Sequence, residues 1–219
     1  MKKLFVLAAV LGQLLPIGAF GADRNSFVPT GEIIWAGIDY SQVRLIGPAQ
    51  FNDADAIFPG YFEKWNDLFL RERIDIVQRD TQKTVIPDIG GVTAANRTAS
   101  ARQIIESPDA NSRIDQTHIT PAQIAAMVKG YDMKHQSGLG IVFIVDRLIK
   151  IGKKGEGAVY VVGFDVATRQ VRFAGRQICP AQGYGFRNYW FRVVKEAEKA
   201  LKEVLSQPPR MNERAGRRR

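Results

Sequence analysis

The amino-acid sequence predicts an α+β fold: a mixed, mainly antiparallel sheet with about three helices packed on one face. Three observations lead there. Residues of strand character fill 32–47 and three consecutive segments between 140 and 178. Apolar residues recur at helical spacing over 58–73, over 118–131 and from about residue 188. Short polar turns separate the last three strands, which makes them antiparallel neighbours.

The first strand is EIIWAGIDYSQVRLIG, bounded by Gly31 and by Gly47-Pro48. Its alternation slips between Ile38-Tyr40 and Val43-Leu45, so a bulge or bend is expected near Ser41. The period then changes. In FPGYFEKWNDLFLRER, Phe58, Phe62, Trp65, Leu68 and Phe69 share one side, while Glu63, Lys64, Asp67 and Arg71 fall elsewhere, as in a core-facing helix. Thr84-Val85-Ile86 before Pro87 reads as a short edge strand, because proline lacks the ladder donor. IGGVTAANRTASARQ reads as loop. Its Asn96-Arg97-Thr98 matches a glycosylation acceptor, which matters only on a eukaryotic secretory route.

HITPAQIAAMVKGY carries the strongest local signal. Thr120 is a natural N-cap, Pro121 suits the first helical position, and Gln123 completes a capping box. Ile119 and Ile124 are placed for a hydrophobic staple. Three apolar segments follow: GIVFIVDRLIKI, AVYVVGFDV after the turn GKKGEG, and QVRFAGRQI after the turn ATR. They form a β-meander, and the unbroken run Ile141 to Val145 marks its first strand as centrally placed. The last helix starts near Asn188, buries Trp190, Val193, Val194, Ala197 and Leu201, and ends at Pro208-Pro209.

The N-terminus, MKKLFVLAAVLGQLLPIGAFGAD, pairs two lysines with an apolar run, the breaker Pro16 and small residues at Ala19, Gly21 and Ala22. That is the pattern of a secretory signal peptide over 1–22. The expected organisation is then one α+β domain over 23–207 and a disordered basic tail over 208–219. The expected location is periplasmic or extracellular, without a lipid anchor because no cysteine lies near the junction. Cys179 is the sole cysteine, so no internal disulfide is available.

Charge is unevenly spread. The chain carries +9 in all, and RMNERAGRRR at its end, with five arginines and one glutamate, supplies +4 of that. The tail lacks interleaved aromatics, so weak contact with a polyanion or an anionic membrane surface is expected rather than specific nucleic-acid recognition.

GYGFRNYW, residues 183–190, offers the nearest approach to a site. Two glycines before a helix start, with Arg187 beside them, could hold an anion or partner through Gly183, Tyr184, Gly185, Arg187 and Asn188. It matches neither G-x-x-x-x-G-K-[ST] nor G-x-G-x-x-G. The structural reading gives the glycines unusual backbone angles, makes Asn188 a cap and has Tyr184, Phe186, Tyr189 and Trp190 anchor the loop. Cys179 with His118 or His135 is the only thiol pair available, and a structural thiol is the expected role. Two histidines 17 apart and the cluster Asn52-Asp53-Ala54-Asp55 do not make a metal motif. No cofactor is implied. Asp39 and Asp146 fall within strands, where a carboxylate must pair or shift its pKa, and Arg44 and Arg147 are the nearby cations.

With GYGFRNYW, IIWAGIDYSQVRLIG and VVGFDVATRQV in view, the chain resembles a family of small exported bacterial proteins known only as a domain of unknown function. The resemblance implies no activity and no site residues. The hairpin Asp165 to Arg169, followed by strand and terminal helix, also looks like the ending of small α/β domains of bacterial envelope-assembly proteins, which implies partner binding without catalysis. The expectation is an exported, non-catalytic envelope module that binds a protein or envelope component through a sheet edge or the Tyr184 to Trp190 loop. The rival is a hydrolase or transferase acting on an anionic substrate at that loop.

Overall fold

A computed structural model describes residues 31–47, 51, 56–98, 105–106 and 114–206. The signal-peptide reading, the 52–55 cluster and the basic tail lie outside these residues. Among the described residues no helix is long and apolar enough to cross a membrane.

The elements run β1 (Glu32–Asp39), β2 (Arg44–Ile46), a π-type turn (Ile57–Tyr61), α1 (Phe62–Glu72), α2 (Ile74–Thr81), β3 (Thr84–Pro87), α3 (Gly90–Thr98), β4 (Ile105–Glu106), α4 (Pro121–Gly130), β5 (Leu139–Ile151), β6 (Lys154–Asp165), β7 (Val171–Ala181) and α5 (Phe186–Ser206). The fold is the expected α+β class. Its two longest ladders, β5–β6 and β6–β7, are antiparallel, whereas the shorter β1, β2, β3 and β4 ladders are parallel.

β5 organises the sheet. Its apolar, β-branched run is buried from Leu139 to Ile149, as a strand covered on both faces requires. β6 occupies one edge along its whole length. On the other edge β1 pairs with the first half of β5, to Asp39↔Ile144, and β2 with the second, from Arg44↔Arg147. Between them Tyr40–Val43 oppose only Val145-Asp146, and here lies the interruption expected near Ser41. The predicted first strand is thus one line of chain broken by a bulge, flanked outside by β3 and β4.

Helices cover both faces, which corrects the expectation of helices on one. α1, α2 and α5 meet Trp35, Phe143 and Val161 through Trp65, Phe69, Val77, Trp190 and Val194. On the opposite face α3 and α4 meet Ile34, Val142, Ile144 and Phe164 through Val92, Ile124 and Val128. α3 replaces the predicted loop. Its helix propensity is poor, and packing supplies the difference: Gly91 lies so near Asp132 that a Cβ there would sit 2.7 Å from its backbone. α5 starts at Phe186, earlier than predicted, and approaches β6 closely enough that a Cβ on Gly157 would be 2.4 Å from a Val193 methyl. The predicted capping box at Thr120 and Gln123 is present.

The outer edge of β1 beyond β3 is closed by two amides instead of a strand. Asn66 of α1 accepts from Ile38 N (2.8 Å) and donates to Ile38 O (3.0 Å). Asn96 of α3 accepts from Tyr40 N (2.7 Å) and donates to the same Ile38 O (3.0 Å). These side chains imitate the ladder that a further strand would have supplied. Asn96 is 1% exposed, so the folded chain withholds the acceptor amide of the glycosylation motif from solvent. Replacing Asn96 with alanine leaves the Tyr40 amide buried and unpaired; the expected cost is about 1–3 kcal/mol, read as a lower midpoint in urea unfolding.

Candidate functional site

The β7–α5 loop is shaped by its glycines. Gly183 (φ 136°) and Gly185 (φ 73°) take conformations that L side chains rarely adopt. The first helical bond of α5 then runs from Tyr189 N to Gly185 O, and Gln182 N donates to Tyr189 O. Three rings of the motif turn toward the protein. Phe186 stacks on Trp65 and meets Phe51 and Tyr61, Trp190 stacks on Phe51, and half-buried Tyr189 meets Trp190 edge-on. Trp65 Nε1 donates to Arg187 O at 3.0 Å, tying α1 to the first turn of α5.

Two expectations for this loop need correction. Tyr184 does not anchor it: the ring is 96% exposed. Asn188 is not a cap, because the helix has already begun at Phe186; its Oδ1 accepts from Arg187 Nε at 3.3 Å instead. The structure therefore presents Gly183, Tyr184, Gly185, Arg187 and Asn188 together at the surface, over a floor filled by Phe51, Trp65, Phe186 and Trp190.

The ionisable groups of the core gather elsewhere, on the α3–α4 side of the sheet. Asp146, fully buried, sits at the break in the β5 register opposite the β1–β2 bulge. Arg176 of β7 grips its Oδ2 with Nε (3.0 Å) and Nη2 (2.7 Å), and the same Nη2 donates to the carbonyls of Ile114 and Gln116 at 2.8 Å. Asp146 Oδ1 accepts from the backbone of His118 and Ile119 at 3.3 Å. The His118 ring spans the gap: Nδ1 lies 2.8 Å from Oδ1, close but out of line for a hydrogen bond, and Nε2 lies 2.7 Å from Gln42 O in the bulge. Neither Arg44 nor Arg147 takes the role that sequence proximity suggested for it.

Burial raises the Asp146 carboxyl, but the His118 ring beside Oδ1 and the Arg176 guanidinium bonded to Oδ2 outweigh it and hold Asp146 below the usual carboxylate range. Asp39, on the same face of β1, is raised. Desolvation dominates there, and its donors, Ser41 N and the Tyr131 hydroxyl, are neutral. Burial and the Asp39 charge push the Tyr131 hydroxyl well up in turn. With both Asp146 oxygens bonded inside the protein, the cluster joins β5, β7, the bulge and the entry to α4; its chemistry is that of a structural clasp.

Cys179, opposite Gly157 in the β6–β7 ladder, belongs to the core on the face opposite His118, so the sheet separates the two. His135 belongs to a third place, where its backbone and Nδ1 bond Asp88. A groove of about 200 Å³ lies between α2 and α5. Its charges pair across it, Arg73 with Glu198 at 2.6 Å and Lys202 with Asp80 at 3.6 Å. No protein-family model and no curated protein matches the chain.

Two outcomes follow from this geometry. Arg176→Met strands a buried carboxylate and is expected to cost about 3–5 kcal/mol in chemical denaturation. The wild-type contribution of Asp146 is present above its unfolded value near 3.8 and is lost as pH falls through its lower folded value. The variant should lose that acid limb in a stability–pH series. Burial pushes the Cys179 thiol up to about 12, so iodoacetamide should leave the native protein unlabelled at pH 8 and label it in denaturant. Rapid native labelling would refute the structural role.

Proposed function

We propose that the protein is an exported, non-catalytic binding or assembly module of the bacterial cell envelope, and that its contact surface is the end of the molecule bearing Tyr184. The observation that carries this reading is a solvent-facing tyrosine, 96% exposed, on a loop whose neighbouring rings are locked into the core. Such a side chain offers a large amphipathic surface at low cost in conformational entropy, which is why tyrosine recurs at binding interfaces. The leader-like N-terminus supports export. The filled floor beneath the loop favours display of residues over enclosure of an anionic substrate, so the hydrolase or transferase reading ranks second.

The test is an NMR titration of the labelled protein with detergent-solubilised envelope fractions. Amide shifts should be confined to residues 151–154 and 182–189, and Tyr184→Ser should abolish them. Shifts centred on Asp146 and His118, or turnover of an envelope substrate, would overturn the proposal.

A further inference from the structure

The Tyr184 loop has a neighbour that sequence order conceals. The tip of the β5–β6 hairpin, Ile151-Gly152-Lys153-Lys154, lies against the same end of the sheet: Ile151 pairs with Lys154, and the next residue, Gly155, pairs with Ala181 at the start of the loop. Gly155 lies directly beneath Tyr189, whose hydroxyl would be 2.3 Å from a Cβ there. Lys150 Nζ sits 4.4 Å above the Tyr189 ring centroid. The same end of the sheet therefore carries the exposed residues Ile151 (52%), Lys153, Lys154, Tyr184 (96%) and Arg187, with half-buried Lys150 beside them. The exposed carboxylate of this hairpin is Glu156. The N-terminus of α5, with its positive dipole end, is directed the same way.

We infer that this end, bearing Ile151 and Tyr184 with Lys150, Lys153, Lys154 and Arg187, is a surface for docking onto an anionic lipid bilayer. The inference rests on the binding-module reading and names its partner. Charge complementarity selects the occupant: cations outnumber the hairpin carboxylate, and their long stems let the charged heads meet headgroups while Ile151 and Tyr184 enter the interfacial layer. An acidic protein would satisfy the lysines but would not need two apolar side chains projecting from separate loop tips. From this end α5, 21 residues long, carries the chain about 30 Å to Ser206.

Co-sedimentation of the full chain with vesicles of phosphatidylcholine alone, or mixed with phosphatidylglycerol, tests the inference. Binding should need phosphatidylglycerol and weaken with salt. Lys153→Glu with Lys154→Glu should weaken it about tenfold or more. Tyr184→Ser with Ile151→Ser should weaken it severalfold at unchanged net charge. Both double variants alter exposed tips and should keep the wild-type melting temperature. Replacing Arg217, Arg218 and Arg219 with glutamine should leave most of the binding. Equal binding to pure phosphatidylcholine, or loss in the arginine variant but not in the lysine variant, overturns the inference. If no vesicle binds while solubilised envelope protein still shifts the loop amides, the lipid assignment falls and the module reading stands. If neither binds, both fall.

Discussion

Asp146 lies on the middle strand where the parallel neighbour changes from β1 to β2, and the sheet could not bury a carboxylate there without the guanidinium of Arg176 across it. Removing two charges from water costs several kcal/mol per ion, so an ion pair of this kind is a poor source of net stability. Its value here lies in the backbone it organises. The bulge and the 114–119 segment contain peptide groups that no strand pairs: the carbonyls of Gln42, Ile114 and Gln116 and the amides of His118 and Ile119. Arg176, His118 and Asp146 together supply their partners. A break in the central sheet is tolerated because charged side chains complete the hydrogen bonding that regular strands would otherwise provide.

The same constraint governs the other side of the bulge, with amides in place of ions. Asn66 and Asn96 reach Ile38 and Tyr40 from helices on opposite faces, so α1 and α3 are both pinned to the irregular stretch of β1. Asp39 stands between the two solutions. Desolvation by burial outweighs its neutral donors, so its ionisation is opposed, whereas that of Asp146 is favoured. Their linkage therefore has opposite sign. Stability gained from Asp146 disappears on acidification. Asp39 favours the folded state most when protonated, and that advantage is lost as pH rises through its elevated folded value.

Much of the fold was legible because local pattern determined it. The Ile141 to Val145 run marks a central strand whatever surrounds it, the Thr120-Pro121-Gln123 cap needs no distant residue, and the slip near Ser41 is a change of phase within one strand. What was not legible depends on contacts far along the chain. α3 owes its helix to Asp132 and to residues 38 and 40, which its Gly-Gly-Val-Thr start does not announce. Arg176 could not be chosen over Arg44 or Arg147 by proximity, since two hairpin turns of the chain bring it to Asp146. The candidate loop was half legible. Phe186 and Tyr189 join the stripe that Trp190 opens, because α5 begins two residues before Asn188, and that phase separates them from Tyr184, which precedes the helix.

That phase also explains why an exposed ring is held so firmly. Tyr184 has no core contact of its own, yet it follows Gly183 and precedes Gly185, whose angles are set by a strand on one side and a helix on the other. The strand is fixed by its ladder to β6, and the helix by stacking of Phe186 and Trp190 on rings from α1 and Phe51. Little backbone freedom is then left at Tyr184, which would lower the entropic cost of the contact proposed for it. Packing of the other three aromatic residues of the motif against the protein leaves Tyr184 as the ring presented to solvent.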